Sequence, residues 1–309
     1  MLTCFFALYV NAVGLNPASA QNDPQGHAPR VIRFAGIYDV LPGIGVEDAR
    51  LALEIIMRKT MKRQSDPFRL HLDLIAHFET AAEKINSGDY HFVVLSGIDY
   101  FLLRPHSPMT PLMVISKIEQ PTEALFLIAK SSENLETLGR KTKSVLTIDA
   151  GRTGANALIW LDSVLWQAGL QDASAHFSQI RTANKASRIV LPVFFGKADA
   201  CIINASAFEL MADLNPQIGK QLTIIERSED LVAMLLCATP LAEEQDKVVV
   251  NTEARKAMSD ENIRQALTIV QMKSIFPFKP EYLTATKALF DSYQSLRTQR
   301  KTDTTGHQK

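Results

Sequence analysis

The amino-acid sequence predicts an α/β protein with parallel sheets flanked by helices, in a chain long enough for two lobes. Three observations carry the prediction. Apolar runs of strand length alternate with amphipathic helical stretches across residues 31–100, an order that sets strands side by side with helices on their faces. The segment SVLTIDAGRTGANALIWLDSVLWQAGL at 144–170 repeats the strand–loop–helix unit after that series has ended. The 309 residues suffice for two domains of ordinary size.

Taken in order, 31–37 is a strand ending at Gly36-Ile37-Tyr38-Asp39, and a Pro/Gly loop at 41–45 follows. From Val46 to about Arg63, Val46, Ala49, Leu53, Ile56 and Met57 share one helical face beside a charged ladder of Arg50, Glu54 and Arg58. Residues 68–76 alternate strictly between apolar and polar, the pattern of a half-buried strand. Phe78, Ala81, Ala82 and Ile85 make a short helix stopping at Gly88, and 92–95 is the next buried strand, running into Ser96-Gly97-Ile98-Asp99-Tyr100. Beyond a Pro-bearing stretch come extended segments at 112–118 and 124–129. Later come apolar runs at 189–195, 200–204, 222–225 and 231–237, and helices at 205–214, 260–272 and 280–296. Residues 298–309 are polar and without pattern, and are expected to be a disordered tail.

The 144–170 unit is the chain's best candidate for function. Val145, Leu146 and Ile148 read as a buried strand, and Gly151 and Gly154 break it where the backbone turns. Ala157, Leu158, Leu161, Val164, Leu165 and Ala168 then recur at helical spacing up to Gly169. A helix opening behind a Gly-rich loop aims unpaired N–H groups and its positive dipole end at whatever lies in front. Arg152, Thr153 and Asn156 add a guanidinium and neutral hydrogen-bonding groups. The alternative is a plain turn in which Thr153 or Asn156 only caps the helix.

Composition narrows the function further. Thirty-three Lys+Arg balance thirty-three Asp+Glu, so no global field favours nucleic acid or anionic lipid. Residues 2–13 are almost wholly apolar, and Ala18-Ser19-Ala20 supplies a small-x-small cleavage pattern, so 1–20 is expected to be a signal peptide for export, although without Lys or Arg before the apolar run. Residues 21–30 then form a leader. Cys201 and Cys237 sit in apolar runs and are expected as two buried thiols, a disulfide between them being the alternative. The seven histidines show no HxxxH or HExxH spacing, and no GxSxG elbow or P-loop occurs. Neither a catalytic residue, a metal nor a cofactor is expected.

Several local sequences resemble one family, the phosphate/phosphite/phosphonate-type periplasmic substrate-binding proteins of ABC transporters. Gly196-Lys197-Ala198-Asp199-Ala200 followed by an apolar strand is similar to that family's glycine–aspartate turn. Ser96-Gly97-Ile98-Asp99-Tyr100 is similar to its ligand loop after the third strand. Asp149-Ala150-Gly151-Arg152-Thr153-Gly154-Ala155 is similar to its D-P-G-S-T-S-G loop, and 132–141 echoes the segment before it. The resemblance implies a two-lobed type II periplasmic binding fold, each lobe a mostly parallel sheet flanked by helices, with two crossing strands as hinge. It places lobe 1 at 31–124 and 231–297 and lobe 2 at 125–230.

The resemblance also implies a cleft lined by Tyr38, Asp39, Ser96, Gly97, Asp99, Tyr100, Arg152, Thr153, Gly154, Asn156, Asn204 and Ser206. The two serines of the phosphonate loop are Arg152 and Gly154 here, and the family's serine before the tyrosine is Asp99. A carboxylate beside a phosphonate repels it unless neutralised. Asp99 therefore pairs with Arg152, or the ligand is a zwitterion whose cationic part lies near Asp39 or Asp99, or Asp99 only caps a helix starting at Tyr100. The implied function is periplasmic capture of a small anionic or zwitterionic solute, a phosphonate-like oxyanion first among them. The solute passes to an ABC transporter permease; a membrane sensor as partner, or an enzyme on the same fold, are the alternatives.

Overall fold

The computed structural model describes residues 30–37, 44–60, 68–139 and 144–306. The expected signal peptide, residues 21–29 of the leader, and Tyr38 and Asp39 lie outside the described residues. In chain order the first elements are β1 (Arg30–Ile37), α1 (Val46–Thr60), β2 (Phe68–Ile75), α2 (Phe78–Asn86), β3 (Phe92–Ser96), α3 (Gly97–Leu103) and β4 (Thr110–Ser116). There follow β5 (Leu125–Lys130), α4 (Leu135–Gly139), β6 (Val145–Asp149), α5 (Gly151–Gln167), α6 (Ala173–His176), β7 (Gln179–Ala183), α7 (Ala186–Phe194), β8 (Ala200–Asn204), α8 (Ala205–Leu214), α9 (Pro216–Gln221) and β9 (Leu222–Arg227). The chain ends with β10 (Met234–Ala238), α10 (Glu244–Ala257), α11 (Glu261–Ile269), β11 (Ser274–Pro277), a 3-10 turn (Pro280–Leu283) and α12 (Thr284–Gly306).

Two sheets result, ordered β11-β4-β10-β3-β1-β2 and β7-β6-β8-β5-β9. The parallel pairs are β1 with β2 and β3, and β6 with β7 and β8. The expectation of mostly parallel sheets holds on that side of each and fails around β5 and β10, which run antiparallel to both their neighbours. These are the strands by which the chain enters each sheet after leaving the other, so they come in from the opposite direction. The two crossings touch at one bridge: Glu123 N–H donates to Leu231 O at 3.0 Å, and Leu231 N–H to Glu123 O at 2.9 Å.

Alternation along the central strands feeds cores on both faces of each sheet. Phe34 and Phe92, stacked with centroids 4.9 Å apart, face one side of the first sheet, while Ala35, Val93 and Leu95 face the other. In β8, Cys201 and Ile203 face one side and Ala200 and Ile202 the other. Cys201 and Cys237 are free, fully buried and in different sheets, and burial pushes both thiols up. α12 spans both halves: Phe290 stacks on Phe101 at 5.7 Å, and Tyr293 on Trp166 of α5 at 5.2 Å.

Several elements depart from the sequence pattern. Arg30, expected in the leader, is the first residue of β1. The run at 189–195 belongs to helix α7, where Ile189, Val190 and Val193 are buried and Pro192 is tolerated near the end. β7 and α10 carried no clear apolar period. The expected disordered tail is corrected as far as Gly306, because α12 continues that far. Once nucleated by its packed first half, a helix propagates even through residues of middling propensity such as Thr298, Thr302 and Asp303, since each adds a hydrogen bond without a new nucleation cost.

A buried imidazole, His176, and a half-buried one, His91, predict a pH response. Burial lowers the pKa of His91 and of His176 below the ordinary 6.5, against the pull of Asp246 on His91. The unfolded chain then binds more protons as pH falls through that range, so this stability is present above it and is lost on acidification. Urea unfolding between pH 7.5 and 5 is expected to show falling stability. His176→Gln reduces that slope; an unchanged slope counts against the assignment.

Candidate functional site

The candidate cleft lies where the carboxyl ends of strands from both sheets face the crossing segments, the place where open α/β sheets hold ligands. It encloses about 770 Å³, counting space open to solvent. Ser96 at the end of β3, Thr153 and Asn156 in α5, and Asn204 at the end of β8 line it. Between sheets, Asn156 Nδ2 donates to Ser96 Oγ at 2.7 Å. Ser96 also caps α3, its Oγ accepting from the Asp99 N–H at 3.0 Å.

Other expected site residues lie elsewhere. α3 begins at Gly97, not at Tyr100, and its cap is Ser96 rather than Asp99. Asp99 is fully buried within that helix and does not line the cleft. Tyr100 belongs to the first sheet's core, with Arg104 over its ring at 5.5 Å. Gly97 lets α3 approach the return crossing: a Cβ there would lie 2.7 Å from Val232 O. Gly154 is buried beneath the turn rather than open to the cleft. Ser206 reaches the site only through Glu123. Of Arg152 the structure describes the backbone, in the first turn of α5.

The 149–154 turn has the geometry its glycines suggest. Gly151 has φ 66°, in the left-handed region that glycine enters without a Cβ penalty. Ala150 is the N-cap of the 17-residue α5, and its side chain makes no cap hydrogen bond to the leading N–H groups of the helix. Burial raises the Asp149 carboxyl, against the lowering by nearby Lys117 and the Ala150 N–H.

Pattern reading missed the crossing-segment residues. Lys117, Glu123, Val232, Ala233 and Met234 line the cleft, joined by Met272 and Thr286. The Glu123 carboxylate is held by Asn204 Nδ2 at 2.9 Å, by Ser206 N–H at 2.9 Å and by Ser206 Oγ. Thr286 Oγ1, fully buried, accepts from Val232 N–H at 3.0 Å. Of these only Glu123 lies in a stretch with no period of its own; the others sit in segments read as strands or helices, where the pattern marks burial and says nothing of a shared cleft. Among the described residues no group of three His, Cys, Asp or Glu is placed to hold a metal ion.

Known structures share this arrangement. A Xanthomonas citri protein bound to ATP superposes with TM-score 0.65 at 11% identity, covering 87% of this chain and 98% of that one. A binding-protein component of an ABC phosphonate transporter from Pseudomonas aeruginosa gives 0.60 at 12%, covering 87% and 88%. PhnD1 from Prochlorococcus marinus in complex with methylphosphonate gives 0.57 at 15%, covering 85% and 97%. At these identities the likeness establishes the fold, the two-lobed type II periplasmic binding architecture. Comparison with curated proteins by sequence finds no significant match. The sequence does match, over residues 56–281, the family described as the periplasmic substrate-binding protein of the phosphonate ABC transporter. With that match over most of its length, the chain belongs to the periplasmic substrate-binding proteins of ABC phosphonate transporters, which capture a small solute for a membrane permease and are not enzymes.

Proposed function

We propose that the chain is exported by residues 1–20 and captures a small anionic or zwitterionic solute between a lobe at 31–124 and 231–297 and a lobe at 125–230. Closing about the Glu123–Leu231 crossing buries the solute, and the closed form is what the permease recognises. The observation that carries this reading is the uncapped start of α5 at the cleft. Its N–H groups and Thr153 take the anionic end of the solute, and Arg152 adds charge. Ser96 and Asn156 join the two sides across the cleft.

The test is thermal unfolding of the protein against phosphate, alkylphosphonates, other oxyanions, amino acids and zwitterionic amines. A bound solute at 100 times its Kd stabilises the fold by about 2.7 kcal/mol. No shift with any of them on folded protein removes the solute-capture reading. Arg152→Ala is expected to weaken binding of the anion by about 1.5–3 kcal/mol, the worth of a charge-assisted hydrogen bond, measured by calorimetry. Asn156→Ala, which cuts the bond to Ser96, is expected to cost about 1 kcal/mol, roughly a fivefold rise in Kd.

A further inference from the structure

Resting on that reading, we propose that Glu123 sets the choice of solute: the cleft takes one that carries an N–H-bearing cationic group, an ammonium or its like, on a short apolar body. A plain oxyanion is disfavoured. Glu123 projects from the crossing to the start of α8, where an anion would otherwise find the Ser206 N–H and the side chains of Ser206 and Asn204. Those donors are already engaged by its own carboxylate. The second helix start at the cleft is therefore occupied by a fixed negative charge belonging to the protein, and an oxyanion there would meet repulsion instead of donors.

The Glu123 carboxylate itself adds only acceptor capacity on that side. A carboxylate offers about four lone-pair sites. Oε1 of Glu123 accepts twice and Oε2 once, which leaves one on Oε2. Asn156 gives one of its two amide N–H groups to Ser96, while its Oδ1 is buried and accepts no hydrogen bond. A buried acceptor without a donor is costly, and a ligand N–H relieves it. Lys117, the cation in the cleft wall, interacts with Asp149. The rest of the lining is largely apolar, with Ile98, Val232, Met234 and Met272 among it, and suits a short hydrocarbon rather than a fully hydrated anion.

The experiment compares matched pairs by calorimetry on the folded protein: 2-aminoethylphosphonate against propylphosphonate, and β-alanine against butyrate. Each pair differs by an ammonium in place of a methyl group. The wild type is expected to bind the ammonium member of at least one pair about tenfold or more tightly, the range of one charge-assisted hydrogen bond. Glu123→Gln, which keeps the shape and removes the charge, is expected to erase most of that ratio. Equal or tighter binding of the alkyl members by the wild type overturns the proposal whether or not the variant folds. So does a ratio unchanged in Glu123→Gln. In both cases solute capture itself stands. If these four compounds and every solute of the thermal-unfolding panel fail to bind, the capture reading falls, and this proposal with it.

Discussion

Arg30→Met is expected to lower the unfolding free energy by about 3–5 kcal/mol, the cost of taking the arginine from a buried carboxylate. Arg30 opens β1 and sends Nη1 to Asp246 Oδ2 at 2.9 Å and Nη2 to Oδ1 at 2.6 Å. This two-pronged pair ties the sheet to the first turn of α10. The Asp246 side chain is 0% exposed, whereas Arg30 keeps 24% and also meets Glu243 at 2.9 Å. The two ends are therefore unequal. Removing the arginine leaves a charge that water cannot reach; removing the aspartate leaves a guanidinium with a second partner and some solvent. Asp246→Leu should cost less than Arg30→Met, and the double variant should recover much of the loss, because neither charge then has to be desolvated. Urea unfolding of the three variants checks this. An Arg30→Met protein within 1 kcal/mol of wild type would mean that the pair is hydrated in solution.

The ion pair also shows where pattern reading stops. Arg30 follows a polar, Pro-bearing stretch, and nothing local says that its partner is 216 positions away. Most of the fold was legible because local and global preferences agree. β2 alternates as a half-buried strand, and α1 carries Glu47 and Asp48 in its first turn and Arg58 and Lys59 in its last, as the helix dipole favours. β7 was not legible: its segment, QIRTA, has one apolar β-branched residue, and the strand exists because it pairs with β6 at the sheet edge. The antiparallel runs of β5 and β10 follow from topology, which no window of sequence contains.

The cleft divides the same way. Ser96, Thr153, Asn156 and Asn204, which the family resemblance places in the cleft, stand at or just past strand ends and line the cavity. Asp99 and Tyr100 share the same short segment but turn inward, because α3 starts at Gly97 and its first turn is packed against the return crossing. Glu123 was invisible for the opposite reason. It follows Pro121 and Thr122 in a stretch without period, and its role arises from Asn204 and Ser206, about 80 residues further on. Sequence spacing orders groups within one element; a site shared between two crossings depends on which elements the fold brings together.

Gly154→Ser, which gives the 149–155 loop one of the serines found in the phosphonate loops it resembles, is expected to damage the protein rather than improve it. A Cβ at Gly154 would lie 2.0 Å from the Asp149 carbonyl oxygen and 3.2 Å from Ile148 Cδ1. The obstacle is backbone at the end of β6, so no rotamer change relieves it; the first turn of α5 has to move away from the strand. Forcing extra volume into such a contact costs about 3 kcal/mol or more. At roughly 2–4 °C per kcal/mol for a chain of this size class, the melting midpoint should fall by about 6–12 °C. Because Thr153 and Asn156 ride on that turn, the hydrogen bond to Ser96 should be lost as well, and solute affinity with it. Gly154→Ala isolates the steric part, since it brings the same Cβ without a hydroxyl, and it should be as unstable as the serine variant. Arg152→Ser restores the other serine of the loop at a position that already carries a Cβ and should leave the midpoint near wild type. A Gly154→Ser protein that melts with the wild type and gains phosphonate affinity would show that the strand–helix approach relaxes in solution. In that case the absent hydroxyl, not the close packing, is what distinguishes this loop from the phosphonate loops it resembles.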